Sequence, residues 1–328
     1  MQDKNVPTAD QVVARSAAIR LGIVGVGKIV RDQHLPAIHA HPGFVLKASA
    51  SPRSRIEGIA NFTTVEAMLA GAELDAVAVC TPPQVRCQAA RAALAAGKHV
   101  LLEKPPCLTT AELSQLECFA RDQGRTLFQT WHSRYAPGVA PAGDWLRGRS
   151  IRGVRIEWKE DVRRWHPGQT WIWQPGGLGV FDPGINALSI LTAILDEPLH
   201  MHSAQLLFPA NCQAPIAAEL LLGANGIAAI EASFDFRQTG PQTWDISVTA
   251  ASGEVLKLSR GGSRLEVDGQ VVVDLPEREY AAIYERFAGL IAAGESEVDA
   301  RPFQLVADAF LIAARGVTEP FHDEPVAS

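Results

Sequence analysis

The amino-acid sequence predicts an α/β protein of two domains, a doubly wound parallel sheet followed by an α+β domain with a large open antiparallel sheet. Three observations predict this architecture. Up to about residue 135, apolar strands alternate with helical stretches, as in βαβ units. Beyond residue 150, hydrophobic side chains recur mainly with a period of two, which is typical of antiparallel strands. The 328 residues also exceed the ~250–300 that one hydrophobic core usually serves.

The first domain is predicted to span residues 19–135, after an N-terminal tail at 1–18 that carries acids and does not resemble a signal peptide. Its predicted strands are Ile19–Val24, Phe44–Ala50, Asp75–Cys80 and His99–Leu102. The predicted helices are a stretch from the first glycine turn to about His41, then Val65–Gly71 and Gln84–Ala96.

The second domain is predicted to span residues 136–328. On its strand Val154–Val162, apolar and polar side chains alternate. Further predicted strands are Ala204–Phe208, Ile216–Leu222, Ile227–Phe236, Trp244–Ala250, Glu254–Ser259, Ser263–Val267 and Gln270–Leu275. The predicted helices are Asp182–Leu195, Tyr280–Ala293 and Pro302–Ala314. The last of these, taken as 302–314, is a candidate to pack back on the first domain.

Composition excludes several classes of protein and partner. The chain is 47% hydrophobic and 20% charged, with a formal net charge of −6 and no basic cluster, so neither nucleic acid nor membrane is expected as a partner. No apolar run approaches the ~20 residues that span a bilayer. The five cysteines are Cys80, Cys87, Cys107, Cys118 and Cys212. They form no CxxC pair, which predicts reduced thiols in a cytoplasm and no disulfide framework or metal site.

The turn after the first strand reads Gly25-Val26-Gly27-Lys28-Ile29-Val30. Glycines let the backbone turn sharply and approach a pyrophosphate at a helix N-terminus. Val30 replaces the third small residue of the usual fingerprint, so the motif is incomplete, and its position between strand and helix favours dinucleotide binding.

The second strand lacks the terminal acid that binds the ribose 2′-hydroxyl of NAD. Ser51, Arg53 and Arg55 follow it instead and are suited to a 2′-phosphate. NADP, or use of both NADP and NAD, is therefore favoured. The alternative is a solvated loop that happens to contain arginine.

Glu103-Lys104-Pro105-Pro106 follows the fourth strand, at the sheet edge where ligands bind in such folds. Thr81 and Pro82 end the neighbouring strand at the same edge. Lys104 can donate there to a substrate hydroxyl beside a nicotinamide. The alternative is an ordinary loop, which the position makes less favoured.

Asp182 and Asn186 lie four residues apart in a predicted helix and so share one face. A glycine run precedes them, and we favour a role for the pair in binding substrate. The alternative is that Asp182 caps the helix ahead of Pro183, which would lower its pKa and weaken it as a base.

Glu160 lies on the apolar face of its strand, where a carboxylate needs a partner. The partner is either a ligand hydroxyl or a nearby arginine, Arg163 or Arg164. Four ring side chains follow, namely Trp165, His166, Trp171 and Trp173. Rings among polar groups suit a carbohydrate, although four core aromatics would give the same pattern.

Together these residues resemble the glucose–fructose oxidoreductase, inositol dehydrogenase and MocA (Gfo/Idh/MocA) family over residues 19–315. The resemblance rests on an ordered set of motifs: GxGK, TPPxxR, EKPP, WHSR, KEDVRRWHPGQxWIW and GGLGVFDPGIN. Within the family, the set is most similar to the bacterial L-arabinose 1-dehydrogenase and D-galactose 1-dehydrogenase group. The resemblance implies oxidation of a pyranose at C1 to a lactone, with a hydride passing to NAD(P)+.

The resemblance also implies roles for individual residues. Lys104 and Asp182 would form the catalytic pair, and Asn186 would orient the C1 hydroxyl. Many family members have a histidine where this chain has Asn186, so Asp182 becomes the best candidate for the general base. The sugar-binding residues, besides Asp182 and Asn186, would be His132, Glu160, Trp165, His166 and Trp244. The expected cofactor-binding residues are Gly25, Gly27, Lys28, Ile29, Ser51, Arg53, Thr81, Pro82, Glu103 and Lys104.

Two alternatives remain open. One is an inositol-type or other sugar dehydrogenase of the same family, and the other is a sugar sensor that binds dinucleotide without turnover. L-Arabinose and D-galactose share their configuration at C2, C3 and C4, so the sequence does not separate them. A homo-oligomer, a dimer by analogy, is expected, because an open antiparallel sheet leaves an apolar face that can pair with a second subunit.

Overall fold

The structure is a computed structural model and describes residues 18–322. A six-stranded parallel sheet forms its first part. The strands are β1 (Ile19–Val24), β2 (Phe44–Ala50), β3 (Ala60–Phe62), β4 (Ala76–Val79), β5 (His99–Leu102) and β6 (Leu127–Gln129). Their order, β3-β2-β1-β4-β5-β6, reverses between β1 and β4. Ligands bind at such a reversal, beyond the carboxyl ends of the strands. The predicted doubly wound sheet is confirmed.

Helices cover both faces of this sheet. A π-helical turn at Val30–His34 runs into α1 (Leu35–Ala40), and α2 (Val65–Gly71), α3 (Pro83–Ala95) and α4 (Thr110–Asp122) follow. The side chain of Thr64 caps α2, and Thr109 and Glu112 form a capping box that starts α4. Alternate residues of the strands point to opposite faces, so the sheet contributes to two separate hydrophobic clusters.

A nine-stranded sheet forms the second part. Its strands are β7 (Ile151–Lys159), β8 (His200–Pro209), β9 (Ala217–Ala224), β10 (Ile227–Asp235), β11 (Thr243–Ala250), β12 (Val255–Ser259), β13 (Arg264–Val267), β14 (Gln270–Asp274) and β15 (Ala314–Thr318). The order is β14-β13-β12-β11-β7-β10-β9-β8-β15. Most neighbours are antiparallel, as predicted, but β7 with β10 and β8 with β15 are parallel. The sheet is therefore mixed.

Helices cover one face of the nine-stranded sheet. They are α5 (Val139–Leu146), the single-turn α6 (Val162–Trp165), α7 (Phe181–Ile194) and α9 (Arg301–Ile312). Almost every residue of α7 is buried, which matches its continuous apolar sequence. The opposite face carries charged side chains such as Arg155 and Glu231, which are 64% and 63% exposed.

One helix from the second half of the chain packs on the first sheet. It is α8 (Glu279–Ala293), whose Tyr284 and Phe287 are buried with Ile23 and Phe128. The candidate helix 302–314 corresponds to α9, which touches α4 of the first domain and buries its apolar side chains in the core of the second sheet. Both helices have one apolar face, and the sequence pattern does not say which sheet that face meets.

Two further predictions concern the ends of the chain and the domain boundary. The predicted N-terminal tail lies outside the described residues except for Ala18. We propose a boundary near residue 135, between β6 and α5. Within residues 18–322, no helix is both long enough and apolar enough to cross a bilayer.

Candidate active site

The loop after β1 forms a cradle next to β4. Gly25 has φ +86°, and a Cβ there would lie 2.8 Å from the backbone nitrogen of Thr81, so only glycine fits. A Cβ on Gly27 would meet nothing within 4 Å, which leaves open space at the N-terminal side of the following helix.

Unpaired polar atoms lie beside this cradle. The hydroxyl oxygen of Thr81 and both amide atoms of Gln84 are buried without a hydrogen-bond partner in the part of the chain that the structure describes. Buried polar atoms are normally satisfied. The free cradle and the unsatisfied atoms therefore fit a bound dinucleotide, whose pyrophosphate the loop amides would receive.

Basic residues surround the loop after β2. Arg53 and Arg55 are exposed, and Arg31 donates to the carbonyl of Arg55 at 3.2 Å, which adds a third guanidinium. The Ser51 hydroxyl accepts the N–H of Ser54 at 3.3 Å. No acid stands in the loop between Ser51 and Arg55, as the sequence indicates.

Two other predicted cofactor residues are solvent-facing. Lys28 is exposed and forms an ion pair with Asp32 one turn later. Ile29 is 37% exposed at the helix start. Both lie within the cradle segment, but the charge of Lys28 is partly neutralised by Asp32.

Lys104 follows β5 and reaches across to α7. Its Nζ donates to the backbone carbonyl of Asp182 at 2.9 Å and to Oδ1 of the same residue at 3.3 Å. The peptide between Lys104 and Pro105 is cis. The predicted catalytic pair is thus in direct contact, although the two residues are far apart in the chain.

Asp182 does not cap its helix, so the capping interpretation is wrong. The helix begins at Phe181 after Val180, and no side chain caps it. The second oxygen of Asp182, Oδ2, lies 3.5 Å from Nδ1 of His166. Burial raises the pKa of Asp182, but the charges of Lys104 and His166 outweigh burial and hold it below its ordinary value. Asp182 is therefore an ionised, buried carboxylate.

The contacts continue from Asp182 into the second domain. Nε2 of His166 lies 3.0 Å from Oε1 of Glu160, and Oε2 of Glu160 accepts the Trp244 indole N–H at 2.8 Å. The partners of this buried carboxylate are therefore His166 and Trp244, and neither predicted arginine. We call the set Lys104–Asp182–His166–Glu160–Trp244 the polar chain.

Aromatic side chains near the polar chain divide into two groups. Trp165 packs against Trp244 with ring centroids 4.9 Å apart. Trp173 instead packs edge-on against Phe236, and Trp171 packs on the domain core. The core interpretation therefore describes Trp171 and Trp173, whereas Trp165 lies at the polar chain.

Asn186 lies one turn after Asp182 on α7 and is partly exposed. Its side-chain amide has no hydrogen-bond partner among residues 18–322, while its carbonyl accepts from Ser189 at 2.7 Å. A free amide next to the polar chain can therefore donate to, or accept from, a ligand hydroxyl.

His132 lies between the two domains. Its Nδ1 is 2.5 Å from Oε2 of Glu279, and its ring stacks on Tyr280 with centroids 5.8 Å apart. Burial lowers the pKa of His132, but Glu279 raises it more, so the net shift is upward despite the opposing charge of Lys104. His132 therefore places an imidazole ring at the edge of the site.

Glu103, a predicted cofactor-binding residue, has both carboxylate oxygens hydrogen-bonded within the protein. Its Oε1 lies 3.0 Å from Nε2 of His34 and accepts the Tyr280 hydroxyl at 2.8 Å, and its Oε2 accepts the backbone N–H of Lys104 at 2.9 Å. Burial raises its pKa, but the hydrogen bond and charge of His34 lower it well below the ordinary range. The carboxylate is therefore engaged within the protein and holds the loop of Lys104.

Sequence reasoning missed three residues that support this loop. His34 and Tyr280 lie far from Glu103 in the chain, and no sequence signal links them. Arg86 is buried on α3 and donates to the carbonyl of Glu103 at 2.9 Å and to the carbonyls of Thr81 and Pro105. The TPPxxR motif contains Arg86, but the motif alone does not show that Arg86 binds the backbone carbonyls before and after Lys104.

Comparison with known proteins decides the family. The model of an oxidoreductase family with an NAD-binding Rossmann fold, Gfo/Idh/MocA, matches residues 19–130. A galactose 1-dehydrogenase of Pseudomonas fluorescens is 47% identical over 306 residues, covering 93% of this chain and 99% of that protein. The chain belongs to the Gfo/Idh/MocA oxidoreductase family.

Solved structures agree with this assignment. The D-galactose-1-dehydrogenase crystal structure from Rhizobium etli superposes with a TM-score of 0.89 at 52% identity, covering 94% of this chain and 99% of that one. A 3-ketoreductase of Actinomadura kijaniata, solved with NADP, superposes with a TM-score of 0.78 over 92% of this chain and 99% of that one. At 22% identity, this second similarity shows the fold alone. The Gfo/Idh/MocA chain described here is therefore an oxidoreductase enzyme.

Proposed function

We propose that this oxidoreductase is an NAD(P)-dependent aldose 1-dehydrogenase that oxidises D-galactose, L-arabinose or both at C1 to the lactone. The proposal rests on the polar chain. In it a lysine, a buried carboxylate and a histidine contact one another in turn, next to the free amide of Asn186. Galactose 1-dehydrogenases that are 47% and 52% identical over nearly the whole chain support the sugar class.

Each residue of the polar chain has a distinct task in this proposal. When bound, NAD(P)+ supplies the acceptor for the hydride of C1. Asp182 accepts the proton of the C1 hydroxyl, which is more acidic than an ordinary alcohol, so a weak base suffices. Lys104 keeps Asp182 ionised and donates to the same oxygen of the sugar. Asn186 orients that hydroxyl, and correct positioning supplies much of the rate enhancement.

The proton can then pass from Asp182 to His166 within the polar chain. His166 Nδ1 faces Asp182, and Glu160 faces Nε2 on the other side of the same ring. A histidine held between two carboxylates can take a proton at one nitrogen and release it at the other. Trp165 and Trp244 offer apolar ring faces for the C–H groups of a pyranose.

The cofactor preference is proposed as NADP, or NADP and NAD together. The support is the cluster of Arg31, Arg53 and Arg55 with Ser51, without an acid to repel a 2′-phosphate. Replacing Arg53→Ala should raise KM for NADP+ about 10-fold and leave KM for NAD+ nearly unchanged, since one charge-assisted contact contributes about 1.5–3 kcal/mol. Steady-state kinetics with both cofactors measures this, and equal effects on both would contradict a 2′-phosphate contact.

The experiment that tests the reaction follows absorbance of the reduced nicotinamide. The purified enzyme is assayed with NAD+ or NADP+ and a panel of aldoses and inositols. Turnover of D-galactose or L-arabinose with a lactone product is expected. Turnover of inositols alone would favour the inositol-type alternative. Dinucleotide binding without any turnover would favour the sensor.

The proposal includes setting and assembly. We infer a cytoplasmic location from the cysteines, which are odd in number and form no CxxC pair. The expected partners are the sugar, the dinucleotide and a second copy of this chain, without nucleic acid or membrane.

A further inference from the structure

A cluster of two thiols and a carboxylate lies outside the polar chain. Cys87 is on α3, Cys107 is in the loop after Lys104, and Glu112 is in the first turn of α4. Their two Sγ atoms and one carboxylate oxygen all lie within 4.8 Å of one another. The spacing in the sequence predicts no metal site, because the two cysteines are far apart in the chain, and the packing of α3 against the loop and α4 brings them together.

The distances suit a metal ion. Zinc–sulfur bonds of about 2.3 Å and zinc–oxygen bonds of about 2.1 Å place tetrahedral ligands about 3.6–3.8 Å apart. Ligand atoms that are already within 4.8 Å therefore need to move by about 1 Å or less. Thiolates with a carboxylate match a soft or borderline ion such as Zn²⁺ better than Mg²⁺ or Ca²⁺.

The carboxylate is held in position by its surroundings. One oxygen of Glu112 accepts the backbone N–H of Leu108 at 2.9 Å and of Thr109 at 3.4 Å, within the capping box of α4. Hydrogen bonds of this kind orient a metal ligand before the ion arrives. Leu108 directly follows Cys107, so the same turn positions two of the three ligands.

The cluster is reachable from solvent. Cys107 is buried, while Cys87 and Glu112 are partly exposed and provide an entry path. A water molecule can complete the coordination from that side, as in sites with three protein ligands.

We propose that Cys87, Cys107 and Glu112 form a three-ligand site for a soft divalent cation, for which Zn²⁺ is the best match. The site joins α3 to the loop that carries Lys104. A bound ion therefore clamps this loop, which Arg86 already holds from the same helix. The expected consequence is greater thermal stability of the metal-bound protein.

The test uses the full-length protein, reduced and freed of metal with a chelator, without dinucleotide or sugar. Titration with Zn²⁺ against a chromophoric chelator gives the affinity, and Co²⁺ gives a near-ultraviolet absorption band that reports thiolate ligation. One equivalent with this band is expected, together with a rise in Tm. Cys87→Ser and Cys107→Ser should lose the band and weaken Zn²⁺ binding by about 100-fold or more, since loss of even an outer hydrogen-bond partner costs about 10–100-fold.

Matched controls separate this site from other thiols and histidines. Cys118→Ser, at an exposed position on α4, and Cys212→Ser should leave binding unchanged. His200→Ala removes one of two exposed histidines whose rings lie 4.6 Å apart, and it should leave the thiolate band intact. If Cys107→Ser unfolds, Cys87→Ser and Glu112→Gln, expected to weaken binding about 10-fold or more, decide the question.

Three results would overturn the proposal. One is Zn²⁺ affinity that is unchanged in Cys87→Ser and Glu112→Gln. The second is a folded protein that binds no Zn²⁺ or Co²⁺ after reduction. The third is a Cys87–Cys107 disulfide in the isolated protein whose reduction yields no metal-binding site, which would make the pair a redox site.

Discussion

At the scale of single residues, Lys104 acts mainly through the charge that it places beside Asp182. Their contact at 3.3 Å lowers the pKa of Asp182 against the opposing effect of burial. We expect Lys104→Ala to reduce kcat by about 10²–10⁴-fold, the usual range for an acid–base group. Dinucleotide binding should remain measurable by fluorescence titration. The exposed Lys47→Ala serves as the control.

The same replacement makes a second measurement informative. Without the charge of Lys104, the pKa of Asp182 should rise, because burial then raises it with less opposition. The acid limb of the residual pH–rate profile should therefore move to higher pH. An unchanged limb would mean that Asp182 is not the group that titrates in the reaction.

Asp182 itself gives a sharp prediction because it does not cap α7. Asp182→Asn keeps the size of the side chain and removes the charge, so kcat should fall by about 10²–10⁴-fold. The Tm should change little by comparison. Steady-state kinetics and thermal unfolding of the same preparation measure both effects. A large fall in Tm with nearly normal kcat would assign Asp182 a structural role only.

At the scale of elements, α8 docks on the first domain through groups that titrate. His132 is faced by Glu279 on α8 and, more remotely, by Lys104 and Glu103. Its pKa is raised in the folded state, so its pairing stabilises the protein fully below about pH 6.5 and is lost as the pH rises through the folded pKa. The free energy of unfolding should therefore decline above neutral pH.

Glu279→Gln tests this contribution of α8. The variant should be less stable than the parent at pH 6, and the difference should shrink as the pH rises, which urea unfolding from pH 6 to 9 measures. Glu295→Gln, an exposed carboxylate after the end of α8, should not change the slope. Because His34 has the same sign of shift and is present in both proteins, the comparison isolates His132. A constant difference across the range would argue against this linkage.

Local sequence patterns predicted the elements well where hydrophobic periodicity was clear. The predicted bounds of Ile19–Val24, Phe44–Ala50 and His99–Leu102 are those observed. Short β3, β6 and β15 were not predicted. The first two have only three residues each, too few to show a period, and β15 has a single large apolar residue, Val317. Likewise the partner of Glu160 was expected to be a ligand hydroxyl or a nearby arginine. Its partners are instead the nearby His166 and, from the neighbouring strand β11, Trp244.

At the scale of the whole molecule, the sequence patterns do not show which helices and strands pack against one another. The pattern of β7 and β10 shows one buried face on each strand but does not show that the two run parallel. For the same reason the destinations of α8 and α9 were not predictable. The site depends on how the elements pack, since Lys104 and Asp182 come from different domains. Only the family resemblance of the ordered motifs predicted that these two residues pair.

The open face of the nine-stranded sheet gives the last prediction, which concerns assembly. We expected this face to be apolar, and the structure instead shows charges of both signs, with Arg155 3.5 Å from Glu157 and 3.9 Å from Glu231. A two-fold axis through such a face can bring opposite charges of two copies together. We therefore propose a dimer through this face that weakens as salt screens the charges.

Sedimentation measures this assembly directly. A dimer is expected at low ionic strength, with a dissociation constant that rises between 0.05 and 1 M salt, over which the screening length falls from more than 10 Å to about 3 Å. Glu231→Arg places like charges together and should shift the protein towards monomer, whereas Glu66→Lys, on α2 of the other domain, should not. A monomer at every salt concentration, or a dimer that is indifferent to Glu231→Arg, would remove the charges of this face from the interface.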